Sequence, residues 1–287
     1  MKTAQCLLGA HVSIAGGMPK AIERGLALKC TAIQVFTKNA SQWNAKPRDP
    51  EESRAFRVAA EQAGLMVVAH DSYLINLASP DKELRQKSEQ ALIDEMTRAS
   101  DLGIGDMVIH PGAHTGSGEN AGIRAVASSL NRVFRATEET GGRVVLENTA
   151  GQGSALGHRL EHLAEIIEAS DYPERTAVCF DTCHAFAAGY DLRTESSCRS
   201  VLRELDRLVG LDRIAVIHMN DCKRELGARV DRHEHLGRGA IGLECFRFFM
   251  KLQDFRHVPK IIETPKNLEG IDMDPVNLGV LRGFLEE

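Results

Sequence analysis

Short apolar runs recur eight times along the chain, each followed by a polar stretch with helical spacing. The runs are Leu7–Ala10, Ala32–Phe36, Leu65–Ala69, Met107–Ile109, Val144–Leu146, Ala177–Phe180, Ile214–Ile217 and Ile261–Ile262. Runs this short and this apolar suit strands buried on both faces. The intervening segments read as amphipathic helices. Ser79-Pro80 is placed as an N-cap and first helical residue before the periodic Leu84, Ala91, Leu92, Ala99 and Leu102. Gly64, Gly141-Gly142 and Gly210 fall where helices over 51–63, 121–140 and 196–209 should stop.

Buried strands alternating with helices imply a parallel sheet, and eight such units predict a single α/β domain, a (β/α)8 TIM barrel spanning 1–287. An open doubly wound sheet is the alternative. It usually carries a Gly-rich phosphate loop after its first strand, and Gly9 to Gly17 does not fit G-x-G-x-x-G. No linker or shift in composition marks a domain boundary.

In such a barrel the chemistry sits at the C-terminal ends of the strands. The residues that end the eight runs are His11, Thr37-Lys38, His70, His110, Glu147, Asp181, His218 and Glu263. Six consecutive strand ends thus present His, Asp or Glu to one mouth. His184 follows Asp181 by three residues, and Asp231 and His233 follow the seventh strand. Four carboxylates packed together without cations would repel one another and lose hydration. The nine groups His70, His110, Glu147, Asp181, His184, His218, Asp231, His233 and Glu263 therefore read as metal ligands, enough for two or three ions. Nitrogen and oxygen donors without thiolate favour zinc over manganese or iron. His11 is expected behind the ligands or at a phosphate. His114, His158, His162, His235 and His257 are expected to have no part in the site.

Composition agrees and adds one point. An apolar fraction of 43% with 26% charged residues is that of a soluble globular protein. Seven scattered cysteines, with no C-x-x-C among them, suit a reducing compartment. With no signal-like or membrane-spanning run, a cytoplasmic protein without a membrane partner is expected. The net charge of −5 argues against an anionic partner until the metals are counted. Three divalent ions would bring it to about +1, and the loops at the same rim carry Lys38, Lys46, Arg48, Lys223, Arg224, Arg229, Arg232 and Arg238.

The motifs GAHVSIAGG (9–17), FTKN (36–39), HDSYLINLASP (70–80), HPGAH (110–114), ENTAGQGS (147–154), DTCHAFAAGYDLRT (181–194), HMNDCK (218–223), ARVDRH (228–233), HLGRGAIG (235–242) and IIETP (261–265) resemble, in order, those of endonuclease IV type apurinic/apyrimidinic endonucleases. The resemblance implies a barrel with three Zn²⁺ ions. His70, His110 and Glu147 would hold the first. Glu147 would bridge to a second, completed by Asp181, His218 and Glu263, and His184, Asp231 and His233 would hold the third. It further implies hydrolysis of the phosphodiester 5′ to an abasic site by a metal-bridging hydroxide, leaving a 3′-hydroxyl and a 5′-deoxyribose phosphate, and trimming of blocked 3′ ends. Glu147 and Glu263 are the expected catalytic carboxylates. Lys38, Tyr73, Leu74 and Arg232 are the expected DNA contacts, with Tyr73 and Leu74 as wedges beside a nucleotide turned out of the duplex. The expected partner is double-stranded DNA carrying abasic sites or blocked 3′ ends, met by a monomer.

Many relatives carry an Arg in the loop 38–43, where this chain has Ser41; Lys38 or Gln42 is then the substitute contact. The competing reading is a single-metal sugar isomerase or epimerase on the same barrel. It gives no reason for His70 with His110, nor for His184, Asp231 and His233.

Overall fold

The computed structural model describes residues 6–287. Eight parallel strands close into a barrel: β1 (Leu8–His11), β2 (Ala32–Phe36), β3 (Met66–His70), β4 (Asp106–Ile109), β5 (Arg143–Glu147), β6 (Thr176–Asp181), β7 (Ile214–His218) and β8 (Lys260–Ile262), with β8 pairing back onto β1. The order around the barrel is the order in the chain, as right-handed strand–helix–strand units require. Side chains alternate between two environments. Ala32, Val68, Val108, Val145, Ala177, Cys179, Val216 and Ile261 pack together apart from the main core, while their neighbours join the larger core with the helices. Closure buries both faces, which is why the strands read as runs rather than as alternation. Most strands extend one residue past the apolar run at their C-terminal end. β3 ends on His70, β5 on Glu147, β6 on Asp181 and β7 on His218.

The helix starts follow local capping chemistry. Helix α2 (Pro50–Ala63, after α1 at Pro19–Ala27) begins where the Asp49 carboxylate accepts the Glu51 and Glu52 N–H groups, and ends at Gly64 with φ 59°. Helix α3 (Lys82–Asp101) starts later than Ser79-Pro80 suggested. The Asp81 carboxylate accepts the Glu83 and Leu84 N–H groups, and the Ser79 hydroxyl is occupied by Asp81 N–H, so the cap is Asp81. Helix α4 (Glu119–Ala136) ends before the predicted 140, its last turn tightening into a 3-10 turn closed by Gly141. Among the described residues no helix is long and apolar enough to cross a membrane.

A loop after β7 carries the remaining chemistry over the mouth. Asp221–Cys222 pairs antiparallel with His233–Glu234 as a small hairpin. The buried Asp221 carboxylate accepts four backbone N–H groups, from Cys222, Gly237, Gly239 and Ile241, and ties the loop down at both ends. A Cβ on Gly239 would stand 2.4 Å from Asp221 Oδ1, so only glycine admits this close approach.

Candidate metal centre

The nine predicted ligands converge. Glu147, fully buried at the end of β5, stands at the centre: its Oε2 lies 3.3 Å from His70 Nε2 and 3.3 Å from His110 Nε2, and its Oε1 lies 3.1 Å from His218 Nδ1. His218 Nδ1 lies 3.2 Å from Glu263 Oε2 and 3.7 Å from Asp181 Oδ2. On the other side His184 Nε2 lies 3.2 Å from Asp231 Oδ2, and His233 Nε2 lies 3.4 Å from Asp231 Oδ1. Tetrahedral zinc with bonds of about 2.0–2.1 Å separates its ligand atoms by roughly 3.3 Å, so these spacings suit the ion.

The second nitrogen of each ring decides whether the first can bind metal. His70 Nδ1 donates to the Asp71 carbonyl, His184 Nδ1 to the Asn148 carbonyl and His233 Nδ1 to the Glu263 carbonyl. His218 Nε2 donates to Gln34 Oε1 at 2.8 Å. Each bond fixes the proton on the outward nitrogen and turns a lone pair inward, the arrangement a metal site needs. The inward Nε2 atoms of His184 and His233 are buried and lack a hydrogen-bond partner. A lone pair facing a carboxylate is repulsive unless a cation lies between them. Residue types, spacing and tautomers all fit zinc.

The charges answer to the same geometry. Burial alone would lower the His218 imidazole, but Glu263 and Glu147 outweigh it and push it up to about 9. Burial also works against charge on His70 and His184, yet neighbouring carboxylates (Asp71 and Glu147 for His70; Asp181, Asp231 and Glu147 for His184) hold both well above the ordinary range. Burial would raise Glu147, but His218 and His110 hold it well below the usual carboxylate range. The mouth draws in positive charge, whether proton or metal.

Residues that the sequence did not single out support the ligands from behind. The Gln34 amide nitrogen donates to Glu263 Oε1 at 2.6 Å and lies 2.9 Å from His11 Nδ1. Asn220 donates to Asp181 Oδ2 and accepts the Glu263 N–H; the Asn148 side chain donates to the Asp181 carbonyl and accepts the Asp181 N–H. Each had a visible sign: Gln34 is the one polar residue inside an apolar run, Asn148 directly follows Glu147, and Asn220 stands two residues after His218. His11 sits behind Glu263, its Nδ1 3.3 Å from Oε1.

A cavity of about 550 Å³ opens above the ligands, with Phe36, Tyr73, Arg232 and Lys266 on its walls, and a second of about 470 Å³ continues past Leu74 and Gln152. Tyr73 is 72% exposed and rests edge-on against Phe36. Arg232 is exposed and donates to the Asp231 carbonyl. Lys38, expected at the rim, is not there. It is buried, its ammonium donating to the Gln42 carbonyl and lying 3.3 Å from the buried Glu95 carboxylate. Burial above all, and the Asp71 carboxylate beside it, push the Glu95 carboxyl up to about 7. A lone lysine beside a buried carboxylate is drawn inward to pair with it, so Lys38 braces the loop from within. Ser41, on that loop, is exposed.

Away from the mouth, Glu119, His158 and His162 form another close cluster. His162 Nε2 lies 3.2 Å and His158 Nε2 3.6 Å from the Glu119 carboxylate.

The chain matches the model of a family described as xylose isomerase-like TIM barrels over residues 22–276. A protein of Geobacter sulfurreducens named probable endonuclease 4 is 53% identical over 276 residues, 96% of this chain and 93% of that one. The crystal structure of endonuclease IV from Thermus thermophilus superposes with a TM-score of 0.84 at 38% identity, covering 97% of this chain and 98% of that one. A D-tagatose 3-epimerase-like protein shares the fold, with a TM-score of 0.74 at 20% identity over 97% of both chains.

Proposed function

This chain belongs to the endonuclease IV family of DNA-repair apurinic/apyrimidinic endonucleases, and we propose that it hydrolyses the phosphodiester on the 5′ side of an abasic site and trims blocked 3′ ends, as a cytoplasmic monomer holding three zinc ions. The observation that carries this reading is the convergence of five imidazoles and four carboxylates, four of the imidazoles fixed with a lone pair inward. His70, His110 and Glu147 would hold one ion; Glu147, Asp181, His218 and Glu263 a second; His184, Asp231 and His233 a third. When bound, zinc supplies Lewis acidity toward phosphoryl oxygens and makes hydroxide available near neutral pH.

The chain's own groups do the rest. Glu147, with a different set of imidazoles on each oxygen, would hold two neighbouring ions when they are bound. Glu263 completes the second. Arg232 and the exposed Lys46, Lys223 and Arg238 offer charge to a phosphate backbone. Tyr73 and Leu74 stand beside the cavity, placed to fill the gap left by a sugar turned out of the duplex. In the reaction a water oxygen bonds to phosphorus as the bond from phosphorus to the upstream 3′-oxygen breaks. That oxygen leaves as a 3′-hydroxyl, taking up the proton that the attacking water gives up, and the phosphate stays on the abasic sugar.

The test is a duplex with one tetrahydrofuran residue, incubated with the enzyme before and after treatment with a strong chelator. A single nick 5′ to that residue, lost on chelation and restored by zinc, is expected. An intact duplex with zinc-replete protein would sink the proposal.

A further inference from the structure

The polar residue inside β2 has a use that the ligand set alone does not explain. Gln34 is fully buried, and its amide touches three residues of the mouth. Its orientation is settled by chemistry. The Glu263 carboxylate can only accept, so the Gln34 nitrogen must face it at 2.6 Å. The oxygen is left facing His218 Nε2 at 2.8 Å, where it can only accept a proton carried by that nitrogen.

We propose that Gln34 is a positioning residue: with one amide it fixes His218 as the Nε2–H tautomer, which binds metal through Nδ1, and aims Glu263 at the same ion. This rests on the zinc reading of the mouth. His218 differs from His70, His184 and His233, whose outward nitrogen is Nδ1 and whose support comes from backbone carbonyls. A backbone carbonyl survives any substitution of its residue; the support of His218 is a side chain and can be removed. Gln34 hydrogen-bonds Glu263 and His218, which share one proposed ion, and among the described residues its amide hydrogen-bonds none of those assigned only to the other two. Its loss should therefore weaken one ion selectively.

The experiment compares zinc binding to wild type and Gln34→Met, a replacement of similar length without donors or acceptors, by competition with a chromophoric chelator. Expected are three tight ions in wild type and, in the variant, two of unchanged affinity and one weakened about 10- to 100-fold. Three ions bound to Gln34→Met as tightly as to wild type would overturn the role of Gln34 and leave the zinc reading intact. Wild type that binds no zinc would overturn both. Long-range ¹H–¹⁵N spectra of the imidazoles in metal-free wild type supply a check that needs no variant. His218 should carry its proton on Nε2 while neutral, and a neutral His218 protonated on Nδ1 would overturn the proposal.

Discussion

Two groups of histidine and glutamate stand in this molecule, and by distance they look alike. In the mouth, imidazole nitrogens lie 3.0–3.3 Å from the Glu147 carboxylate; in the outer cluster, His162 and His158 lie 3.2 and 3.6 Å from Glu119. The difference is on the far side of the rings. In the mouth the outward nitrogens of four histidines meet oxygen acceptors. In the outer cluster the Gly157 N–H donates to His162 Nδ1. That nitrogen must keep its lone pair, so neutral His162 carries its proton on Nε2 and turns an N–H, not a lone pair, toward Glu119. Burial holds the His162 imidazole below its ordinary range. Only His158, whose Nδ1 donates to the Ala155 carbonyl, presents a free nitrogen there. Proximity of ligand types is thus a weak sign of a metal site, and the partner of the second nitrogen is the stronger one.

The largest expected difference between the two clusters is catalytic. Glu263→Gln keeps the volume and removes a charge that two proposed functions need: completing one ion position and holding the His218–Gln34 arrangement. Nicking of an abasic duplex should fall on the order of 10³-fold or more, with the circular dichroism spectrum unchanged. Near-normal turnover would remove Glu263 from the ligand set.

That contrast was only half legible in the sequence. The barrel was readable because closure makes every strand apolar on both faces and places one residue after each run at the mouth. Six of the nine proposed ligands stand at strand ends, His184 three residues past β6, and Asp231 and His233 in the loop after β7, and the structure brings them together. Hydrogen bonds between distant segments were not readable. Gln34 meets Glu263 across 229 residues, and Gly157 decides the tautomer of His162 through a backbone N–H that no side-chain pattern announces. Lys38 was misplaced for the same reason: its partner Glu95 lies on α3, far along the chain. The start of α3 was misplaced because two adjacent N-cap residues competed, and the carboxylate of Asp81 reached two N–H groups where Ser79 was already engaged.

A second, smaller difference should appear as pH dependence. The His218 imidazole, burial notwithstanding, is pushed up to about 9 by Glu263 and Glu147. For a group raised on folding, the stability it brings is fully present below its unfolded value and lost as pH rises through its folded value. Metal-free protein should therefore lose on the order of a few kcal/mol between about pH 6.5 and 9, and its melting temperature should drop by about 5 °C or more. Zinc-loaded protein should not show this loss, since the ion replaces the proton; instead it should release metal as pH falls and the nitrogens are protonated. His162, held below its ordinary range by burial, adds no such slope. Thermal melts across this range, with and without zinc, check the sign. A metal-free protein as stable at pH 9 as at 6.5 would contradict the electrostatic account of the mouth.

The smallest effect tests the outer cluster itself. Glu119→Gln removes a half-exposed carboxylate that lies against His158, His162 and Arg159 at the start of α4. Loss of partly screened ion pairs and of one acidic residue at a helix N-terminus should cost about 1 kcal/mol or less, a drop of about 2 °C or less in the melting temperature. The stoichiometry of zinc should stay at the wild-type value and nicking should stay within about twofold, because neutral His162 offers no lone pair on the side that faces residue 119. A variant that binds one ion fewer than wild type would mean that a metal had displaced that proton against the donation from Gly157, and the tautomer rule that separates the two clusters would fail at the site where it makes its clearest distinction.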